Sequence, residues 1–409
     1  MKYLIKNRLF NNIFSLVILQ GSNYIFPLIT FPFLVRKLGI ENYGILTFST
    51  ALMQFLNIFV DYGFNISATK EISIHKYNIK RVNEIYNLIM TIKLIFTLLI
   101  GILIFILVEV VPVLEEHRLV YLVSFLIIVG NTLFPLWLFQ GLERMKYITY
   151  INIFVKAIVT LLIIIFIKND KDLTLAVLFQ SFYYLIPGLI SIYFVKRKFN
   201  VKFQLILNFQ KIINELRSDK DIFMTNLWIK FYNQAPAIIL GFLSGKSSTG
   251  NFGIGQKVQG AFSGLSLPFT QAIYPYLCEL YKKNLLAFNI FKKRLLKYSI
   301  LFSLFITLGL NFFSNQIIKF VTGEQNNNLV ILIRLFSIII FLGVMNTIMS
   351  RIMYAMDMQK LLNKSYSRAA LSFFLVCFPL TISFNEYGMV LSIIVAEATV
   401  FYFNIKTVF

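Results

Sequence analysis

The sequence predicts an all-α integral membrane protein: about twelve transmembrane helices in two pseudo-equivalent six-helix bundles around a central cavity. Three observations predict it. The composition is apolar, the basic residues alternate in density from loop to loop, and a motif repeats at half-chain spacing.

Of 409 residues, 58% are hydrophobic and only 14% charged, with a mean hydropathy of +0.74. A soluble domain of this size could not cover its surface with so few charges, whereas lipid solvates an apolar exterior. Basic residues outnumber acidic ones 39 to 18, a net charge of +21. They sit in short clusters between apolar runs, the pattern of topogenic loops and not of a nucleic-acid surface. Cys278 and Cys377 lie in or beside apolar segments and give no disulfide framework. His75 and His117 fall in different loops, so no metal ligand set is expected. No Walker A motif is visible, and no catalytic residues are expected.

Apolar runs of about 20 residues mark helices. They lie at 13–35, 44–66, 87–109, 118–140, 148–167, 173–195, 221–243, 251–275, 297–320, 329–350, 365–384 and 387–405. The first is too long for a signal-peptide core, ends in Arg36-Lys37 without a cleavage site, and reads as a retained span. With the N-terminus in the cytoplasm, 27 Lys and Arg fall on that side and 7 on the other. That asymmetry predicts both termini inside.

The remaining five basic residues, Lys93, Lys156, Lys230, Lys257 and Arg334, fall within spans. A cation there costs about 2.5–3.5 kcal/mol on insertion scales and normally faces a cavity or a partner. Snorkelling from a helix end is an open reading for Lys93, Lys257 and Arg334. It is weak for Lys156 and Lys230, which lie eight or more residues from either end of their spans.

Polar residues recur beside them at helical spacing. Span 2 carries Thr50, Gln54, Asn57 and Asp61; span 5 carries Asn152, Lys156 and Thr160. Span 7 has Asn226, Lys230 and Asn233 or Gln234, span 8 has Gln259, Ser263 and Ser266, and span 1 has Gln20, Asn23 and Thr30. Each stripe gathers its polar groups on one side of its helix. Interhelical hydrogen bonding accounts for any single residue equally well. The lysines in two stripes favour a hydrated, cationic cavity. Eight of the nine prolines lie within or at the edge of spans, the pattern of kinked transporter helices.

The halves echo each other. Leu38-Gly39 followed by Asn42-Tyr43-Gly44-Ile45 recurs as Leu240-Gly241 followed by Asn251-Phe252-Gly253-Ile254, with 209 residues between the Gly-Ile pairs. Gly141-Leu142-Glu143 to Lys146 is echoed by Ala355-Met356-Asp357 to Lys360, 214 residues on. The expected organisation is a bundle over 1–200, a cytoplasmic linker over 201–220 and a second bundle over 221–409.

At these motifs a family becomes recognisable. Leu38-Gly39-x-x-Asn42-Tyr43-Gly44 with Asp61-Tyr62-Gly63-Phe64 resembles the opening of bacterial polysaccharide exporters. Pro135-Leu136-Trp137-Leu138-Phe139-Gln140-Gly141-Leu142-Glu143 resembles the P-x-W-x-F-Q-G-x-E segment of Wzx-type O-antigen flippases, in which a lysine often stands where Lys156 does. Pro236 to Leu243, then Gly250 to Gly253 and Gln256-Lys257-Val258, is similar to the family's second-half opening.

The resemblance implies a MATE-like fold of the MOP superfamily in a bacterial inner membrane. It implies a flippase, not an enzyme, moving undecaprenyl-diphosphate-linked oligosaccharide repeat units to the periplasmic leaflet by alternating access. Cavity cations would be Lys156, Lys230, Lys257, Arg334, Arg36 and Lys93; polar lining would be Gln20, Asn23, Gln54, Asn57, Asn152, Asn226, Asn233 and Gln259. No cofactor is expected beyond a proton or sodium gradient. Asp61, Glu143 and Glu397 are candidate carriers, or else caps and ion-pair partners. Downstream partners would be an O-antigen polymerase and a chain-length regulator. A drug or metabolite exporter of the same superfamily would favour intramembrane carboxylates over lysines. A polytopic polymerase would need a large outward loop, and the outward loops here are short.

Overall fold

In hydrocarbon every backbone N–H and C=O must be satisfied within the protein, so apolar runs of this length fold as helices. The computed structural model describes the backbone of residues 2–199, 201–264 and 266–408. Side chains are described for 21–22, 25–199, 201–224, 226–227, 233–264, 266, 269–270, 273–274 and 276–408.

The helices of the first half are α1 (Lys2–Asp61), α2 (Phe64–His75), α3 (Ile79–Val110), α4 (Pro112–Glu115), α5 (Arg118–Ser124), α6 (Leu126–Leu133), α7 (Leu136–Gly141), α8 (Met145–Phe166) and α9 (Leu173–Lys198). After α10 (Phe209–Ser218) come α11 (Lys220–Leu243), α12 (Gly245–Gly264), α13 (Leu267–Lys283), α14 (Leu285–Thr322), α15 (Asn327–Ala355) and α16 (Gln359–Val408). The expected spans fall largely on these helices, although span 2 (44–66) overruns the end of α1 into the turn at Tyr62-Gly63 and the start of α2. Spans 1 and 2 run on as α1, broken at Gly39 (φ 77°), and spans 11 and 12 as α16, broken at Asn385 (φ 49°). Span 4 is cut into α5 to α7, and span 8 breaks between α12 and α13. Among the described residues, eight helical segments are long and apolar enough to cross a membrane.

The chain divides into two compact units, residues 1–38 with 46–238 and residues 39–45 with 239–409. In the first unit, α9 packs on α5, α6 and α8, and α2 packs on α3 and α7. The P-x-W-x-F-Q-G-x-E segment lies in this core. Trp137, Leu138 and Phe139 are fully buried, and Thr69 Oγ1 donates to Gln140 Oε1 at 3.3 Å. Asp61-Tyr62-Gly63 forms the turn from α1 to α2, where the Tyr62 ring stacks on Phe223 of α11, centroids 4.4 Å apart. In the second unit α15 is the central element, contacted by α12, α13, α14 and α16.

The internal repeat survives as matched joints. Gly39 and Gly245, 206 residues apart, both hold positive φ (77° and 82°). Asn78 and Asn284, again 206 apart, cap α3 and α14 by accepting the N–H three residues on. Glu143 and Asp357, 214 apart, both take the left-handed conformation (φ 57° and 58°) at a helix C-terminus. Each sits in the same Schellman bond pattern: Arg144 N–H donates to Phe139 O and Met358 N–H to Met353 O, both at 2.9 Å. The structural offset at the first joint is thus 206, three fewer than the spacing of the two Gly-Ile pairs. Gly44 corresponds to Gly250, each five residues past its positive-φ glycine. These two glycines cross within the second unit. A Cβ on Gly44 would lie 1.9 Å from Lys246 O, and one on Gly250 would lie 2.1 Å from Ile40 O. Ile40 and Lys246 are themselves 206 apart, so the crossing is reciprocal.

Candidate functional site

In the first unit, the polar stripe of α1 and a lysine of α3 form one network. Lys93 lies near the middle of α3 with its side chain 1% exposed. Its Nζ donates to Asp61 Oδ1 at 2.9 Å and to Asn131 O at 3.3 Å. Asn57, one turn before Asp61, donates Nδ2–H to Asp61 Oδ2 at 3.1 Å. Thr97, one turn on from Lys93, shares a 2.6 Å hydrogen bond with Thr132 of α6. Lys93 therefore does not snorkel from a helix end. It is a buried ion-pair member, and the pairing engages a candidate cargo cation with a candidate carrier.

The other first-unit candidates are more dispersed. Gln54 accepts from Gln234 Nε2 at 3.0 Å, while Asn152 donates to Ile148 O at 2.9 Å. Lys156 is half-buried between Asn152 and Thr160 on α8, and Thr160 shares a 2.9 Å bond with the Tyr183 hydroxyl of α9. Asn226 is half-buried on α11, and Asn233 and Arg36 are exposed. Glu143 is an exposed partner of Lys76 at 2.7 Å. The side chains of Gln20, Asn23 and Lys230 lie outside the described residues.

In the second unit, Lys257 is exposed on α12, and Gln259 donates to Ser263 Oγ at 3.2 Å. Arg334 is exposed on α15, with Nε donating to Ser314 Oγ of α14 at 3.2 Å. Next to it, Asn311 Nδ2 donates to Ser337 Oγ at 2.8 Å. Glu397 of α16 accepts from Asn346 Nδ2 at 2.6 Å, and Asn346 is almost fully buried on α15. Sequence reasoning missed Asn346, Asn131 and the buried Glu386, which accepts from Asn251 Nδ2 at 2.9 Å. These contacts join residues 38 to 135 positions apart, and no local pattern marks them.

The segment after α9 is clasped to the first unit. Backbone N–H groups of Lys202, Gln204 and Ile206 donate to Asn83 Oδ1, Asn87 Oδ1 and Thr91 Oγ1 of α3 at 3.0, 3.0 and 3.1 Å. Beyond α10, Ser67 Oγ donates to Asp219 Oδ2. Glu215 stands near Asp219, Glu71 and Arg81. Burial first, then the neighbouring carboxylates Asp219 and Glu71, push its pKa up to about 7, with Arg81 opposing.

Comparison with known proteins matches this architecture. A family model described as "Polysaccharide biosynthesis protein" covers residues 9–281. The chain is 32% identical over 394 residues to a protein of Escherichia coli (strain K12) named "Putative O-antigen transporter", covering 95% of this chain and 94% of that one. A protein of the same name from Shigella dysenteriae is 28% identical, with 97% and 99% covered. Among solved structures, the lipid II flippase MurJ in an inward closed conformation aligns with a TM-score of 0.70 at 14% identity, covering 96% of this chain and 87% of that one. An inward-facing multidrug resistance MATE family transporter of the MOP superfamily aligns at 0.66 and 14%, covering 97% and 98%. The two structural likenesses establish the MATE-like fold. The family read from the Leu-Gly, Tyr-Gly and Trp-Phe-Gln-Gly motifs is the one found, and this chain belongs to the polysaccharide biosynthesis protein family.

Proposed function

We propose that this protein is a polysaccharide transporter that flips an undecaprenyl-diphosphate-linked oligosaccharide repeat unit from the cytoplasmic to the periplasmic leaflet by alternating access. Near full-length kinship with the two O-antigen transporter relatives named above carries the reading. The relatives support a bacterial inner-membrane location, and the 27-to-7 asymmetry of basic residues supports both termini being cytoplasmic.

A diphosphate cannot cross hydrocarbon alone, and cations within the helices offset its desolvation. Lys156 and Lys257 are the favoured contacts, joined by Lys230 and Arg334. Lysine meets phosphate as a point charge, which suits a site that must also release its load. Gln54, Asn152, Asn226 and Gln259 supply donors and acceptors for sugar hydroxyls. Lys93 is committed to Asp61 and serves the architecture. Glu397 is the favoured coupling group for a proton or sodium gradient, because it meets the buried amide of Asn346 inside the second unit. An O-antigen polymerase with its chain-length regulator would consume the product.

Complementation of a strain lacking this gene tests the reading. Lys156→Ala and Lys257→Ala variants are expected to reach the membrane at normal levels and to lose surface polysaccharide. Wild-type polysaccharide in both would overturn the role of the cations.

A further inference from the structure

The segment joining α9 to α10 alternates with period two. Lys202, Gln204, Ile206 and Asn208 interleave with Phe203, Leu205, Leu207 and Phe209. Alternation in an extended chain sends the two sets to opposite sides. The second set is wholly apolar and exposed, from 45% at Phe203 to 74% at Phe209.

The ladder to α3 fixes where this strip lies. Its acceptors, Asn83, Asn87 and Thr91, recur one turn apart and rise about 6 Å per step. Alternate residues of an extended chain advance about 6.7 Å, so the two repeats stay in step. The chain thereby climbs α3 from Asn83 to Thr91, the latter inside the apolar run that the sequence places at 87–109. Extended backbone at that depth needs protein acceptors for its N–H groups, and the ladder provides them. Basic residues bracket the strip: Lys196, Arg197 and Lys198 before it, Lys202 within it and Lys211 after it.

We propose that residues 202–209 form a strap embedded in the cytoplasmic leaflet, with Phe203, Leu205, Leu207 and Phe209 against acyl chains and the bracketing cations against anionic lipid headgroups. The side of the membrane rests on the orientation proposed above; the insertion does not. A lipid surface is favoured over a protein partner because the strip combines leaflet depth with a basic border.

Bimane placed on Gln204→Cys, Leu205→Cys or Leu207→Cys, in a Cys278→Ser/Cys377→Ala background, tests this in nanodiscs. Labels at 205 and 207 are expected to be quenched by doxyl-acyl lipids and shielded from iodide, with the reverse at 204. Iodide quenching at 205 and 207 equal to that at 204 would overturn insertion. So would protection of both from either quencher, which would mean a protein cover. Replacing phosphatidylglycerol by phosphatidylcholine should weaken the doxyl quenching; no change would overturn the headgroup contact. Asn83→Ala/Asn87→Ala should open position 205 to iodide, and an unchanged label would remove the ladder as the anchor. None of these readouts requires cargo. Reaction of Gln204→Cys with an impermeant maleimide from one face of closed vesicles reports the orientation separately.

Discussion

Lys93→Met removes a cation 1% exposed and leaves the Asp61 carboxylate, 21% exposed, with Asn57 as its remaining described donor. Breaking a buried pair by deleting one partner costs about 3–5 kcal/mol. Partial exposure of Asp61 and the Asn57 hydrogen bond place this variant near the lower end, at about 3 kcal/mol. Asp61→Asn is the mirror experiment. It leaves an ammonium with a neutral amide and the Asn131 carbonyl at 3.3 Å, again at a cost of about 3 kcal/mol. The double variant strands neither charge. It should cost no more than one single, a coupling of about 3 kcal/mol. Reversible unfolding in mixed detergent and lipid micelles reads all three values. Additive losses, with the double variant near 6 kcal/mol, would refute the claim that the pair acts as one structural unit. Retained transport in the double variant would place Lys93 outside the cargo site.

Three further outcomes are expected. Gly44→Ala should destabilise by about 1–3 kcal/mol or more in the same unfolding assay, because its Cβ would meet Lys246 O at 1.9 Å, while Gly309→Ala, in open space, should be tolerated. Glu143→Ala removes an exposed partner of Lys76 and should change stability by under about 1 kcal/mol, with transport unchanged in the complementation assay. The Glu215 pKa is raised when α10 is docked, so its contribution is complete below the usual carboxylate range and is lost as pH rises through about 7. The protection factors of α10 amides, with the intrinsic base-catalysed rate divided out, should therefore fall between pH 6 and 8, and Glu215→Gln should flatten that fall.

Much of the fold was legible because lipid leaves the chain few options. Apolar length marks the runs that fold as helices, eight of them long and apolar enough to cross a membrane among the described residues. Local sequence pairs Asp357 with Glu143, which share a positive φ. The 206-residue register was harder to see. The Asn-Tyr-Gly and Asn-Phe-Gly strings stand out to the eye, yet the joint is set by Gly39 and Gly245, whose backbone conformation no string displays. The site was the least legible part. That Lys93 meets Asp61, or that Asn346 meets Glu397 from 51 residues away, depends on how helices pack. A polar stripe reports which side of its own helix is wet or bonded, but not what stands opposite.

The matched joints hold unlike contents. Counting 206 residues on from Lys93 reaches Ser299, which bonds its own helix at Leu295 O, and 214 on from Lys156 reaches Ala370. The halves have kept their punctuation and diverged in vocabulary. Caps, positive-φ breaks and the glycine crossing set where each helix starts and stops, and none of them needs a charge inside the membrane. Under the proposed function, a new glycan would be accommodated by editing helix interiors while the joints stay fixed. Grafting a relative's interior residues between this protein's own joints is the economical way to redirect its specificity.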